Sequence, residues 1–516
     1  MLKRIAVLIL CVSALASFAQ PMQPVRHELE KSADEQQCPF ELLEKQGVLY
    51  AYQTDQANEE DNVFWSFVRL DTNLLEVRSD LIPLPVRYTF CASQSNPEMA
   101  VFLFTDGRAK KSDSIGMQSV FFHRTTNTFT TFEDKLPPGS VVLGMALIDE
   151  AVFVPINHKS GGGSVLYYDS KSGMRRVLQP RIDSDYAFFQ AETNEAAHTV
   201  VVAAKVFEGK RNVATTFLQY GADGGLLASN RYQHEGDVTL GRLCFDFDME
   251  RNLSVYATVE RQETKKVDLK EIADDFDKVA VGVACIRFSD GQPQTHSYLF
   301  KDMPDIERAL TASDRVRVRE DRLKQKRNKQ KDSKEIGFQF LAPHLTKIDG
   351  MYVFSAEAFV PEYHTETRMD YGFYGMFPYS YTVFDGYDFI STVLWAFDAT
   401  GALKWQSSVK FDNTLSYDLW PHSDITNCLD ELLVVSARDN RLRYEVLDRS
   451  GQTLLEYQHQ PLDLLYEADF LTREDRASMS HWYDNRFIVS GEQIIQNGVR
   501  SKPRRTVFFW QKVQFE

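Results

Sequence analysis

Three histidines sit in similar surroundings in the C-terminal part of the chain: His344 in FLAPHL, His422 in LWPHSD and His481 in MSHWYD. Carboxylates accompany the last two, Asp418 and Asp424 around His422 and Asp484 after His481. Imidazole titrates near neutrality, so three such rings lining one channel would serve as acid and base or hold a divalent metal. One reading of the sequence is therefore a channel-centred hydrolase or lyase with His344, His422 and His481 as catalytic candidates. The competing reading takes them as hydrogen-bonded structural histidines. Asp246 and Asp248 in CFDFDMERN alternate along a strand and share a face, but two carboxylates without further oxygen ligands fall short of a calcium site. No metal site and no cofactor are expected, and the chain has no G-x-S-x-G turn, phosphate loop or H-E-x-x-H.

Residues suited to recognition are more prominent than residues suited to catalysis. The stretch 371–389, YGFYGMFPYSYTVFDGYDF, has nine aromatic residues in nineteen. Gly372, Gly375, Gly386 and Pro378 interrupt both strand and helix periodicity, so the stretch reads as an irregular loop. Tyrosine joins a flat apolar body to a hydroxyl tip and suits contacts with protein or sugar. Tyr371, Tyr374, Phe377, Tyr379, Tyr381 and Tyr387 are accordingly the binding candidates, against the alternative that the loop folds back on its own scaffold. A second biased stretch, RVRVREDRLKQKRNKQKDSK at 315–334, holds ten Lys and Arg residues. Arg322 and Lys326 within it are candidates for gripping an acidic partner, and a solvated charged face is the plainer reading.

The elements that must position these residues follow a repeat. Apolar run, polar turn with Asp or Gly, and second apolar run recur at 67–77, 122–132, 166–178, 218–228, 286–298, 395–405 and 444–457. Each is a β-hairpin signal. Upstream of most lies a strand ending in small residues: VVAAK (201–205), VYATV (255–259), VFSAE (353–357), VVSAR (434–438) and IVSGE (488–492). With one further strand before it, each unit has four short antiparallel strands, A to D, at the spacing of a propeller blade. The expected fold is all-β, a β-propeller of eight four-stranded blades near 40–80, 87–134, 140–180, 185–232, 237–300, 337–410, 416–458 and 466–516, with seven blades as the alternative. The last unit lacks a strand D, and residues 25–29 are expected to supply it and close the ring.

In WAFDATGALKW, Ala396, Asp398, Thr400, Gly401 and Trp405 resemble the A-x-D-x-x-T-G-x-x-x-W repeat of the PQQ-like (quinoprotein-like) propellers. Asp169 with Gly173, and Asp448 with Gly451, keep parts of the pattern. The resemblance implies blade geometry and an eight-fold ring. It does not extend to quinone chemistry, because the chain has no Cys-Cys dipeptide.

In a propeller the B–C turns and the D–A links emerge on one face. Three long segments therefore share a face: 261–278, with a short amphipathic helix at 267–279; the charged, partly helical 301–336; and 361–390. The N-terminus, MLKRIAVLILCVSALASFAQ, reads as a secretory signal peptide over 1–19, followed by one propeller domain over 20–516. No later run approaches a membrane span. With 58 basic against 73 acidic side chains and a formal charge of −15, nucleic acid is not an expected partner. Five cysteines follow the leader without metal-site spacing, and Cys38 with Cys91, on neighbouring inner strands, is a more feasible disulfide than Cys244 with Cys285. The preferred expectation is an exported, non-enzymatic scaffold, periplasmic or outer-membrane-associated, that engages a protein or glycan of the cell envelope.

Overall fold

A computed structural model describes residues 25–31, 38–57, 61–106, 113–209, 211–248, 251–262, 278–303, 306, 338–372, 375–428, 431–498 and 504–515. The described residues form eight antiparallel sheets spanning 40–85, 88–136, 141–178, 185–233, 238–299, 339–416, 423–461 and 469–514. The first seven sheets run A-B-C-D in chain order, and from blade one to blade eight each strand A meets the next strand A along the axis. In blade three, strand A is broken into Val141–Val142 and Ala146–Ile148. The eighth sheet takes its outermost strand from the other end of the chain, where Val25–Glu30 pairs antiparallel with Arg504–Gln514. The ring thus closes as the missing strand D required, with eight blades.

Packing explains the strand types. A blade's two faces are both covered by neighbouring blades, so strand B reads as an unbroken apolar run such as Val200 to Ala204. One buried apolar cluster fills each of the eight gaps between blades. Between blades five and six, Tyr256, Val283 and Cys285 meet Phe340, Phe354 and the fully buried Trp395. Strand D faces outward and alternates, as in Glu76–Pro85.

The recurring Asp and Gly have defined roles in the C–D turns. Asp398 accepts the backbone N–H groups of Thr400 (2.8 Å) and Ala402 (3.0 Å), and Asp448 does the same for Ser450 (2.8 Å) and Gln452 (2.9 Å). Gly401 and Gly451 then take φ of +87° and +77°, which disfavours any side chain. Gly451 also abuts the neighbouring blade: a Cβ there would lie 2.3 Å from the Trp405 ring.

Two expectations need correction. Segment 361–390 is not an irregular loop. Met351–Gly372 and Gly375–Phe397 are strands B and C of blade six, paired in register out to Gly372 and Gly375. The glycines obscured this because they mark defects within strands. Gly386, at φ +132°, sits opposite Glu362 where Asp385 is an extra residue, so the alternation changes phase there. Cys38 and Cys91 form no disulfide with each other. The 267–277 part of the expected helix lies outside the described residues, as do nearly all of 301–336, including Arg322 and Lys326, and the 1–19 leader. Among the described residues no helix is long and apolar enough to cross a membrane.

Candidate functional site

Strands B and C of blade six outrun their sheet. Strand A pairs only as far as Phe359, and strand D only as far as Tyr387. Beyond both points the remaining pairs, from Glu362 opposite Gly386 to Gly372 opposite Gly375, form a two-stranded ribbon with two unpaired edges. The outer ten-residue arm, from Tyr363/Phe384 to the tip, spans about 30 Å at ~3.3 Å per residue. Isolated two-stranded ribbons are marginal in water and expose strand-pairing groups.

The ribbon is rooted in the ring. Phe359 and Phe389 are buried, with ring centroids 5.6 Å apart, and Tyr387 packs edge-on against Phe359 (5.5 Å) and Phe384 (4.9 Å). Tyr387 is therefore part of the base, in keeping with the folded-back alternative. Further out, one face carries His364, Glu366, Arg368, Tyr379, Tyr381 and Asp385. His364 contacts Asp385 through Nδ1 (2.5 Å) and Glu366 through Nε2 (3.4 Å). The Tyr381 hydroxyl donates to Glu366, and the Arg368 guanidinium lies 5.2 Å from the Tyr381 ring centre. These contacts raise the His364 pKa, Asp385 first, and lower that of Glu366, Tyr381 first. Tyr379 stacks beside Tyr381 at 6.1 Å and 24°, with 61% of its surface exposed. Tyr371 and Phe377 lie in the ribbon's paired backbone; their side chains, and Tyr374 altogether, are outside the described residues.

The sequence did not reveal how far this aromatic surface extends. Among the described residues the aromatic side chains that stand exposed are Tyr363, Tyr379, Tyr417, Tyr466 and Phe470. Tyr363 and Tyr379 belong to the ribbon, Tyr417 follows strand D of blade six, and Tyr466 and Phe470 span the link into blade eight. D–A links and B–C turns leave the same face, so all five rings lie on one face over blades six to eight. Most exposed aliphatic residues, such as Leu75, Val177 and Leu226, lie on the outer strands and C–D turns, while Met369 and Leu465 accompany the aromatic residues on the ribbon face.

The three histidines occupy three different environments. His344 is exposed, and its backbone carbonyl accepts from Ser355. His481 contacts the Asp484 carbonyl through Nε2 (2.8 Å) and packs on Phe487, near the A–B turn of blade eight. His422 is buried against Phe389, ring centroids 4.3 Å apart, with Nδ1 3.3 Å from the Ala477 carbonyl and no partner for Nε2. Burial lowers its pKa to about 4. Among the described residues none of these rings contacts another, and no group of three or more His, Cys, Asp or Glu residues is placed to hold a metal ion.

Buried carboxylates missed in the sequence stand out between the blades. Glu357 is buried, accepts four hydrogen bonds from His422 and Ser423, and has a pKa raised to about 7 by burial. Glu41 and Glu192, on strands A of blades one and four, are likewise raised to about 7 by burial. Glu41 is held by Ser93 and Ser95 of blade two, and Glu192 by Gln190 of its own strand and by the Phe245 backbone of blade five, so each reaches across to the next blade.

No protein-family profile and no curated protein matches the chain. Solved structures similar to it include the β-propeller domain of the Trilobed protease from Pyrococcus furiosus, at 8% identity and TM-score 0.35 over 82% of this chain and 95% of that one. A structure from a study of two prolyl endopeptidases matches at 9% identity and TM-score 0.38, over 95% of this chain. The chain spans about half of that protein, 55% of its length. Dihydro-heme d1 dehydrogenase NirN in complex with DHE matches at 13% identity and TM-score 0.32, over 85% of this chain and 78% of that one. At these identities the likeness concerns fold alone, and the eight-bladed ring rests on its own strand pairing.

Proposed function

We propose that the chain is an exported, non-enzymatic scaffold that captures a protein or glycan of the cell envelope on the ribbon-bearing face of blades six to eight. The observation that carries this reading is the confinement of all five exposed aromatic side chains among the described residues to that one face. Exposed aromatic clusters are favoured at recognition surfaces, where a ring contributes a large area at small entropic cost. The ribbon adds two free strand edges that an extended polypeptide can pair with. Export rests on the leader-like 1–19, and a periplasmic or outer-membrane-associated location is part of the same reading. So is a PQQ-like relationship limited to architecture, supported by the Asp398 turn and by Trp405 lying against Gly451. The test is capture of envelope components by the intact chain and by one whose ribbon is trimmed back to Glu362 and Gly386.

A further inference from the structure

We propose that the gap between blades six and seven holds a monatomic anion, chloride under ordinary salt conditions, bound by Arg443. Arg443 lies on strand C of blade seven opposite Ser436, so both side chains share the face turned toward blade six. The residue is only 7% exposed, and its Nε is buried with no hydrogen-bond partner. The guanidinium lies 5.8 Å from the Tyr457 ring centre, and among the described residues no carboxylate forms a salt bridge with it. A buried cation without a counter-charge is expensive, and no described carboxylate supplies one here.

The space beside it has the size and lining for a small anion. A cavity of about 10 Å³ is walled by Thr392 and Lys410 of blade six and by Ser423, Ser436, Arg443 and Tyr457 of blade seven. That is room for about one water-sized particle. Two further cations are near: Lys410 is exposed at the cavity, and Arg438, itself beside Asp439 and Glu474, is close enough for the charge of Arg443 to act on it. The nearby Glu357 carboxylate is occupied by the N–H groups of His422 and Ser423 and the hydroxyl of Ser423. A water in the cavity would satisfy Nε but leave the charge unbalanced, whereas a halide does both and takes hydrogen bonds from N–H and O–H donors alike. Sulfate, phosphate and carboxylate are too large for the space.

The proposal is tested on the full-length protein in two ways. Crystals soaked in bromide should give an anomalous peak within hydrogen-bond distance of Arg443 Nε; a cavity holding only water, with no peak, overturns the proposal. In solution at constant ionic strength, Tm should rise saturably by a few degrees with chloride or bromide and not with gluconate or sulfate. The response should vanish in Arg443→Met, and an equal response in that variant would also overturn the proposal. The bromide experiment needs no variant and stands if Arg443→Met fails to fold.

Discussion

The carboxylate of Glu357, on strand B of blade six, accepts the backbone N–H of Ser423, at the start of strand A of blade seven, at 2.6 Å. It also accepts the Ser423 hydroxyl at 2.7 Å and the His422 N–H at 2.9 Å. The same device recurs around the channel. Asn157 of blade three exchanges hydrogen bonds with both backbone groups of Phe188 in blade four, and Gln190 of blade four does so with Leu243 of blade five. Each joins two blades where strand pairing alone leaves backbone groups unmatched.

The Glu357 clamp predicts a pH dependence. Its pKa is about 7 in the native chain against 4.5 as a free side chain. Between those values the native state binds a proton that the unfolded state does not, so stability falls as pH rises through this window. From pH 5 to pH 8 the loss from this one group is roughly 2–3 kcal/mol. Glu357→Gln removes it, so urea denaturation should show the wild-type drop exceeding that of the variant by this amount. Equal drops would contradict the clamp. His422, lowered to about 4, acts in the opposite sense below pH 6.5, but it is present in both proteins and cancels.

Ring closure depends on a buried ion network. Arg505 pairs with Glu28 at 2.7 Å and with Asp469 at 2.5 Å, and all three side chains are almost fully buried. Arg505→Met leaves the buried Asp469 without a cation and Glu28 with Arg26 alone (2.7 Å), and should cost on the order of 3–5 kcal/mol. Denaturant titration gives the value; a loss below about 1 kcal/mol would mean that Val25–Glu30 is held without help from Arg505, by its backbone pairing and the Arg26 contacts to Gln493 and Gln511.

The Trp405 contact separates two effects of a glycine. Gly451→Ala meets both the left-handed backbone and the ring of Trp405, and should cost about 2–4 kcal/mol. Gly173, in the equivalent turn of blade three, has φ +68° and open space around a Cβ, so Gly173→Ala carries only the backbone part, about 1–2 kcal/mol. Equal losses in thermal unfolding would show that Trp405 does not press on that turn.

Local patterns carried most of the architecture. Hairpin turns with Asp and Gly, apolar strands ending in small residues, and the unpaired eighth blade were sufficient for the blade number and for closure by residues 25–30. The ribbon was not legible, because the Asp385 bulge reverses the phase of the alternation that identifies a strand. Neither were Glu357 and Arg443, whose roles come from residues on a neighbouring blade; Glu357 and Ser423 are 66 positions apart. The histidines shared a sequence context yet differ in setting, since register and bulges, rather than spacing, decide which side chain turns into the ring.

Capture on the ribbon face is the central claim, and trimming the ribbon tests it most directly. Glu362 and Gly386 are paired across the two strands, so replacing residues 363–385 with an Asn-Gly turn closes the hairpin there and keeps Tyr387 and Phe389 in the base. The arm buries little, so Tm should change by no more than a degree or two. Intact and trimmed chains would be cross-linked in native envelope preparations and their captured material compared. Loss of a specific protein or glycan from the trimmed chain is the predicted result; identical captures from two equally stable chains would contradict the account.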